Sequence, residues 1–150
     1  MLLRLFFVLI LPLKNHYICI MALTYPKSEK LKSKHLIDLL FSEGKWVSSY
    51  PLRLVYVPID AQKSVFGVSV SKRNFKHAVD RNEIKRTLRE AYRTNQHLLK
   101  EATGEKQFAF MLLFTSKEKI PFELLEEKTL RVFEKFGAII AENNTINESI

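Results

Sequence analysis

The sequence has little cysteine: Cys19 is the only one among 150 residues. An intramolecular disulfide needs two, so no disulfide framework holds the fold, and a lone thiol is typical of a reducing compartment. The four histidines are scattered and share no zinc-ligand spacing with the cysteine. The sequence therefore favours a cytoplasmic protein, and we predict no metal-binding residues in it.

The residue patterns that carry most protein catalysis are also missing. The sequence shows no convergent pair of carboxylates, no nucleophile beside a base and no glycine-rich phosphate loop. Hydrolysis of a phosphodiester by protein groups normally needs such residues, often around two metal ions. We therefore predict that this chain contributes no catalytic residue.

A run that resembles a targeting or membrane segment occurs in the first twenty residues. The run from Leu5 to Leu11, with Arg4 before it, imitates the core of a signal peptide, but no small-residue cleavage site follows. It is also shorter than the about 20 apolar residues that span a bilayer. Three interpretations are open: a start codon placed too far upstream, a membrane or secretory segment, or an ordered or disordered extension.

Of these three we favour the misplaced start, with Met21 as the first residue made in cells. Residues 1–20 are then a spurious or disordered extension without a membrane role. Residues 21–142 form one domain, which the hydrophobic fraction of 47% can supply with a core. Residues 143–150 are polar, and we expect a flexible tail there.

Acidic residues are too few to balance the basic ones. The chain has 24 Lys and Arg against 16 Asp and Glu, for a net charge of +8. Eight basic and three acidic residues lie between Lys72 and Arg93, so this one segment carries most of the excess. A strongly basic segment indicates an anionic partner.

A helix from about Ala78 to Gly104 would turn that segment into a cationic ridge. At 100° per residue, Ile84 and Leu88 fall on the apolar side. A merely solvated face usually mixes signs, whereas this one is nearly single-signed, which costs self-repulsion unless a polyanion neutralises it. We favour nucleic acid over a solvated face. The predicted binding residues are Lys72, Arg73, Lys76, Arg81, Asn82, Lys85, Arg86, Arg89 and Arg93.

Two of these residues have distinct expected roles. Arg81 projects near the apolar side, so we expect it to be partly covered and paired with Asp80 or a backbone carbonyl. Asn82 lies on the ridge, where its amide can hydrogen-bond a phosphate, a ribose 2′-OH or a base edge.

Alternation and helical spacing predict the remaining elements. The order is α-β-β-β-α-β-α, an α+β two-layer sandwich with a four-stranded, mostly antiparallel sheet and one long basic helix. In the strand Ser64 to Ser71 one face is apolar and the other small and polar, which suits a sheet face open to a ligand. Gly67 within it indicates a bulge or the close approach of another backbone. The other predicted elements are helices over Lys34–Ser42 and Phe122 to about Ala141, and strands over Trp46–Tyr50, Leu52–Val57 and Gln107–Thr115.

The string FKHAVDRNEIKRTLRE, which begins at Phe75, closely resembles the signature of the protein subunit of bacterial ribonuclease P. FGVSVSKR before it and LKSKHLIDLLFSEG further upstream also look like that family, and the resemblance spans about Lys30 to Phe136. Two departures are Glu83, where a basic or neutral residue is usual, and Ile37, where an aromatic is common.

The resemblance implies a left-handed βαβ crossover. It also implies that a partner RNA performs the chemistry and that this protein binds the RNAs. A catalytic RNA would cleave the 5′ leader from precursor tRNA, with Mg²⁺ held mainly by that RNA. The basic ridge would bind the RNA's phosphates, and the open sheet face, with Phe41 and Tyr56, would hold the single-stranded leader. For Phe41 the alternative is core packing.

Two other classes of function are open. A non-enzymatic RNA-binding module or RNA chaperone would use the same ridge without affecting tRNA cleavage. A DNA-binding domain would place the ridge helix in the major groove. We do not expect a DNA partner, because a strand leads into the long helix where a helix-turn-helix needs a first helix.

Overall fold

The computed structural model describes residues 24–148, so the predicted extension 1–20 and the start at Met21 lie outside it. A short 3-10 turn at Lys27–Glu29 precedes seven main elements. These are α1 (Lys34–Glu43), β1 (Lys45–Ser49), β2 (Leu52–Ile59), β3 (Val65–Val70), α2 (Ala78–Thr103), β4 (Gln107–Phe114) and α3 (Phe122–Glu148). The predicted order and the α+β class are confirmed.

The four strands form one sheet in the order β1-β2-β4-β3. β1 pairs with β2, and β2 with β4, in antiparallel fashion. β3 and β4 are parallel neighbours joined through α2, so the sheet is mostly antiparallel, as predicted. The left hand of this βαβ crossover stays a prediction.

The main core lies between one face of the sheet and the helices α2 and α3. Alternate residues of β2 point into it, including Leu52 and Leu54, because successive side chains of a strand point to opposite faces. Phe66 of β3 stacks on Tyr92 of α2 with ring centroids 3.7 Å apart. This contact fixes the long helix against the strand that precedes it.

The second sheet face is only partly covered. Ser33 caps the start of α1, since its hydroxyl accepts a hydrogen bond from the Leu36 N–H at 3.5 Å. α1 places the buried Leu40 against Val55 and Met111. α1 therefore adds a partial layer that the two-layer prediction did not include. No other α-helix of the described residues packs on this face.

The long helices differ in how well their ends were predicted. α2 starts at Ala78 as expected and ends before Gly104, whose φ of +57° favours glycine. α3 was predicted to end near Ala141 but continues to Glu148. Apolar spacing stops at Ile140, and the last turns are helical yet exposed, so periodicity could not reveal them. Within residues 24–148 every helix is too short or too polar to cross a bilayer.

Candidate nucleic-acid interface

The structure places the predicted ridge residues on and beside α2. The apolar stripe is buried, with Leu88 and Ala91 fully inside. On the opposite side Asn82, Arg86 and Arg89 are exposed, whereas Lys85 and Arg93 are half-buried. The sequence-based division of this helix into a core face and a charged face is therefore correct.

Two of the three acidic residues of the ridge pair with a lysine from outside it. Lys119, between β4 and α3, lies 2.8 Å from Asp80 Oδ1 and 2.6 Å from Glu83 Oε2. The hydrogen bond from Lys119 lowers the pKa of Asp80, and the two carboxylates raise the pKa of Lys119. Both carboxylates are therefore engaged by Lys119 and not by the cations of the ridge.

The remaining acidic residue of the ridge pairs within α2. Arg93 Nε donates to Glu90 Oε2 at 3.0 Å, and this contact lowers the pKa of Glu90. Among residues 24–148, no ion pair engages Lys85, Arg86 or Arg89. These three cations form the part of the ridge that is available to a polyanion.

Arg81 has the structural role that was expected of it. Its Nη1 donates to the carbonyl oxygens of Phe75 at 2.9 Å and Lys76 at 2.7 Å, so the predicted pairing with a backbone carbonyl is confirmed. Asn74 also anchors the loop, since its amide donates to the carbonyls of Thr115 and Ser116 at 3.2 Å. The loop therefore presents its cations from a fixed backbone. Its exposed cations are Lys72, Arg73 and Lys76.

A groove of about 390 Å³ lies beside the ridge, between α1 and β3. Its lining combines small and aromatic side chains with one ridge cation, Arg89. Phe41 lines it and is 62% exposed, so the core-packing interpretation of this residue is wrong. The lining also includes Tyr25, Lys30, Leu31, Ile37, Gly67, Ser69 and Met111.

Gly67 allows a second segment to cross the sheet at the groove. The Leu31 N–H donates to the Phe66 carbonyl at 2.9 Å, and a Cβ at Gly67 would lie 3.0 Å from Leu31 Cβ. The predicted close approach of another backbone is confirmed. The segment before α1 thereby becomes a wall of the groove.

Tyr25 is a groove residue that the sequence analysis missed. Its hydroxyl donates to the Phe66 carbonyl, and its ring packs edge-on against Tyr92 at 5.1 Å. Burial raises the pKa of Tyr25 to about 12, so the hydroxyl stays protonated near neutral pH. These contacts join residues more than forty positions apart, and no local pattern could have revealed them.

Tyr56 was predicted to share a groove with Phe41, and this prediction is wrong. Tyr56 is only 5% exposed and packs against Phe136 of α3 with centroids 4.8 Å apart. In β2 it follows Val55, which faces α1, so Tyr56 faces the opposite side. Alternation along β2 was recognised, but the face that carries the groove was assigned incorrectly.

The expectation that the chain has no metal-binding residues stays a prediction. Between Thr24 and Glu148, no three His, Cys, Asp or Glu residues lie close enough together to hold an ion. The described side chains of the interface are groups that can bind and position an anionic ligand.

A nearly single-signed helix face beside an open, aromatic-lined groove defines an RNA-binding type of α+β protein. The family model described as Ribonuclease P matches residues 25–137. The chain belongs to this family, whose members are protein components of the ribonucleoprotein endonuclease ribonuclease P, an enzyme that is generally metal-dependent.

Individual relatives agree with this assignment. The "Ribonuclease P protein component" of Porphyromonas gingivalis is 39% identical over 99 residues, 63% of this chain and 72% of that protein. The protein of the same name from Dictyoglomus turgidum is 33% identical over 118 residues, 77% of this chain and 94% of that protein.

Solved structures show the same fold. The ribonuclease P protein of Thermotoga maritima superposes with a TM-score of 0.60 at 24% identity, over 71% of this chain and 96% of that one. The Staphylococcus aureus protein gives 0.60 at 17% identity, over 72% of this chain and 94% of that one. The four-stranded mixed sheet with its long helix is thus an architecture that these proteins share.

Proposed function

We propose that the ridge of α2 binds the catalytic RNA of ribonuclease P and that the groove binds the single-stranded 5′ leader of precursor tRNA. The chain then supports endonucleolytic removal of the leader. Mg²⁺ is held mainly by the RNA, which carries the chemistry, and the complex works in the cytoplasm.

The observation that carries this proposal is that the ridge and the groove meet at Arg89. This residue is exposed on α2 and also lines the groove, as Phe41 does. One RNA strand lying in the groove is therefore next to the phosphates of a second RNA on the ridge. This arrangement suits a subunit that brings a substrate strand to a partner RNA.

The groove favours an unpaired strand over a duplex. The small residues Gly67 and Ser69 line the groove, and the exposed ring of Phe41 lines it as well. Flat unpaired bases stack on such rings without regard to sequence, at about 1–3 kcal/mol per base. A-form duplexes hide their base faces and are recognised mainly by shape and backbone.

The ridge supplies the complementary, phosphate-directed contacts. Lys85, Arg86 and Arg89 lie within little more than one turn of α2, and the exposed loop cations extend the positive surface beyond its start. Guanidinium groups match phosphate geometry with paired donors, which favours arginine at such sites. Neutralisation of these cations by phosphate removes the repulsion between them.

Reconstitution tests this function. The protein would be combined with the catalytic RNA of its own source and a 5′-extended precursor tRNA at low Mg²⁺, where a polycation is most needed to offset RNA repulsion. We expect cleavage at the mature 5′ end to be faster with the protein than with RNA alone. Binding of many RNAs without faster cleavage would instead identify an RNA chaperone or a simple binding module.

A further inference from the structure

Trp46 is an exposed aromatic residue that the groove does not include. It lies on the edge strand β1 and is 59% exposed. The guanidinium carbon of Arg53 lies 4.7 Å from the centroid of its ring, so one side of the indole is covered by a cation. Within the described chain Arg53 has no ion pair and no side-chain hydrogen bond, which leaves its charge available.

The strand register places this pair on the same sheet face as the groove. Trp46 lies opposite Val55, and Val55 lies opposite Met111, which lines the groove. Directly paired residues of neighbouring strands share a face, so Trp46 and Met111 point to the same side. Arg53 is two residues from Val55 and therefore also points there.

A strip of the sheet that is only partly buried connects the groove to Trp46. Ser69 of β3, which lines the groove, is in register with Leu113 of β4, and Leu113 is in register with Arg53 of β2. α1 packs further along the strands, against Val55. Three strand spacings of about 4.8 Å give roughly 14 Å from β3 to β1. That distance is on the order of four stacked nucleotides.

We propose that Trp46 and Arg53 form a second RNA contact, in which the indole stacks on an unpaired base of the leader and Arg53 attracts its phosphates. This inference rests on the proposed function, since it continues the leader's path beyond the groove. The ligand class is single-stranded RNA, because the site pairs a flat aromatic face with a cation and offers no enclosed pocket.

The exposed indole has no role in the core that would account for its position. Trp46 belongs to neither of the two buried clusters, whereas its neighbour Val47 is 6% exposed and part of the main one. A large aromatic held at the surface by an arginine matches the platforms on which proteins stack bases. Substitution of Trp46 is therefore expected to leave the fold intact.

Leader length separates a contact with the leader from a contact with the rest of the precursor. The reconstituted holoenzyme would be tested with precursors whose leaders are one nucleotide or about ten nucleotides long, the longer one exceeding the ~14 Å path. We expect Trp46→Ala to weaken binding of the long-leader precursor about fivefold, which corresponds to about 1 kcal/mol of stacking free energy. The short-leader precursor should bind the variant and the wild type equally well.

Two variants serve as controls. Trp46→Phe keeps a ring and should retain most of the affinity for the long leader. Phe122→Ala removes another partly exposed ring, at the start of α3 and away from this sheet face, and should change neither affinity. Equal affinities of wild type and Trp46→Ala for the long leader would overturn the proposal, and so would equal losses of affinity for both leaders.

Fluorescence gives a second, direct readout, because Trp46 is the only tryptophan of the chain. Its emission in the holoenzyme should be quenched by the long-leader precursor and not by the short one. Emission that responds identically to both precursors contradicts stacking at Trp46. A wild-type holoenzyme that cleaves neither precursor would refute the proposed function itself, whereas normal cleavage without a length effect refutes only the Trp46 contact.

Discussion

Lys119 Nζ lies 2.6 Å from Glu83 Oε2, which joins the segment before α3 to the ridge of α2. The same ammonium group reaches Asp80 Oδ1 at 2.8 Å. One lysine from outside the ridge thus engages two of its three acidic side chains. Among the described residues, Lys85, Arg86 and Arg89 further along α2 have no carboxylate partner, so these three cations are available to phosphates.

The Lys119 contact predicts a change in the titration of Asp80. Because the hydrogen bond from Lys119 is the largest cause of its lowered pKa, Lys119→Met should raise the pKa of Asp80 toward its ordinary value of 3.8. Carboxyl chemical shifts measured by NMR across acidic pH would report this directly. Lys117→Met, at an exposed lysine nearby, should leave Asp80 unchanged.

The same contact sets the sign of a pH effect on stability. The folded-state pKa of Asp80 lies below its unfolded value, so the pair stabilises the fold above pH 3.8 and this contribution is lost as pH falls through the lowered pKa. Wild type and Lys119→Met should therefore differ in stability at neutral pH and converge in acid. A difference that persists undiminished below the folded pKa would contradict this account.

Substitutions at two neighbouring residues of α1 should distinguish a loss of RNA affinity from a loss of stability. Phe41 is 62% exposed at the groove, whereas Leu40 is 1% exposed in the core beneath α1. Phe41→Ala should weaken binding of precursor tRNA by about 1 kcal/mol, because a base can no longer stack on the ring. It should change the free energy of unfolding by only about 0.5 kcal/mol or less.

Leu40→Ala is the matched control for that experiment. Deletion of a fully buried leucine should lower the free energy of unfolding by about 2–5 kcal/mol. Denaturant unfolding measures stability, and equilibrium binding with the reconstituted holoenzyme measures affinity. If Phe41→Ala destabilised the protein as much as Leu40→Ala does, its assignment to the groove would be wrong.

Replacement of glycine by alanine should change the free energy of unfolding in opposite directions at Gly44 and Gly137. A Cβ at Gly44, where α1 ends, would lie 2.1 Å from the Leu40 carbonyl oxygen and 2.7 Å from Val55 Cγ1. Gly44→Ala should therefore lower the free energy of unfolding by about 2 kcal/mol or more, because α1 must shift. The shift should also disturb the groove.

Gly137 lies inside α3, where an added Cβ would meet only Ala102 Cβ at an ordinary 3.6 Å. Gly137→Ala should raise the free energy of unfolding by about 0.5–1 kcal/mol through helix propensity. Thermal or denaturant unfolding of both variants measures the contrast. If Gly44→Ala and Gly137→Ala destabilised the protein to a similar extent, the close contacts at the end of α1 would not be the reason that position 44 requires glycine.

The sequence predicted the helix and the strand that form the site, because helical spacing and strand alternation are both local patterns. The apolar stripe around Leu88 fixed the orientation of α2, and alternation in β3 identified a small, polar face at Gly67. Tyr56 was assigned to the wrong face, because alternation separates two faces without telling which one a helix covers. Tyr25 and Lys119 were missed as site residues, because their partners lie 41 and 36 positions away in the chain.

The end of α3 shows a second limit of sequence patterns. Exposed polar residues after Ile140 carry no apolar period, so the helix was predicted to end about two turns early. The structure shows residues 143–148 as helix, while the flexibility predicted for this tail stays a prediction.

The central claim is that the ridge of α2 binds RNA phosphates. It is tested most directly by the salt dependence of binding to the catalytic RNA, for wild type and for the double variant Arg86→Gln, Arg89→Gln. Two exposed cations outside the ridge, removed in Lys117→Gln, Arg131→Gln, provide a control with the same change in charge. Far-UV circular dichroism must first show that each variant keeps its fold, because arginine stems also pack.

We predict that the ridge variant binds more weakly and that the slope of log affinity against log salt falls by roughly 0.7–0.9 for each phosphate that the protein no longer neutralises. The control pair should leave the slope near its wild-type value. An unchanged slope in the ridge variant, or an equal fall in the control, would show that the ridge is only a solvated helix face.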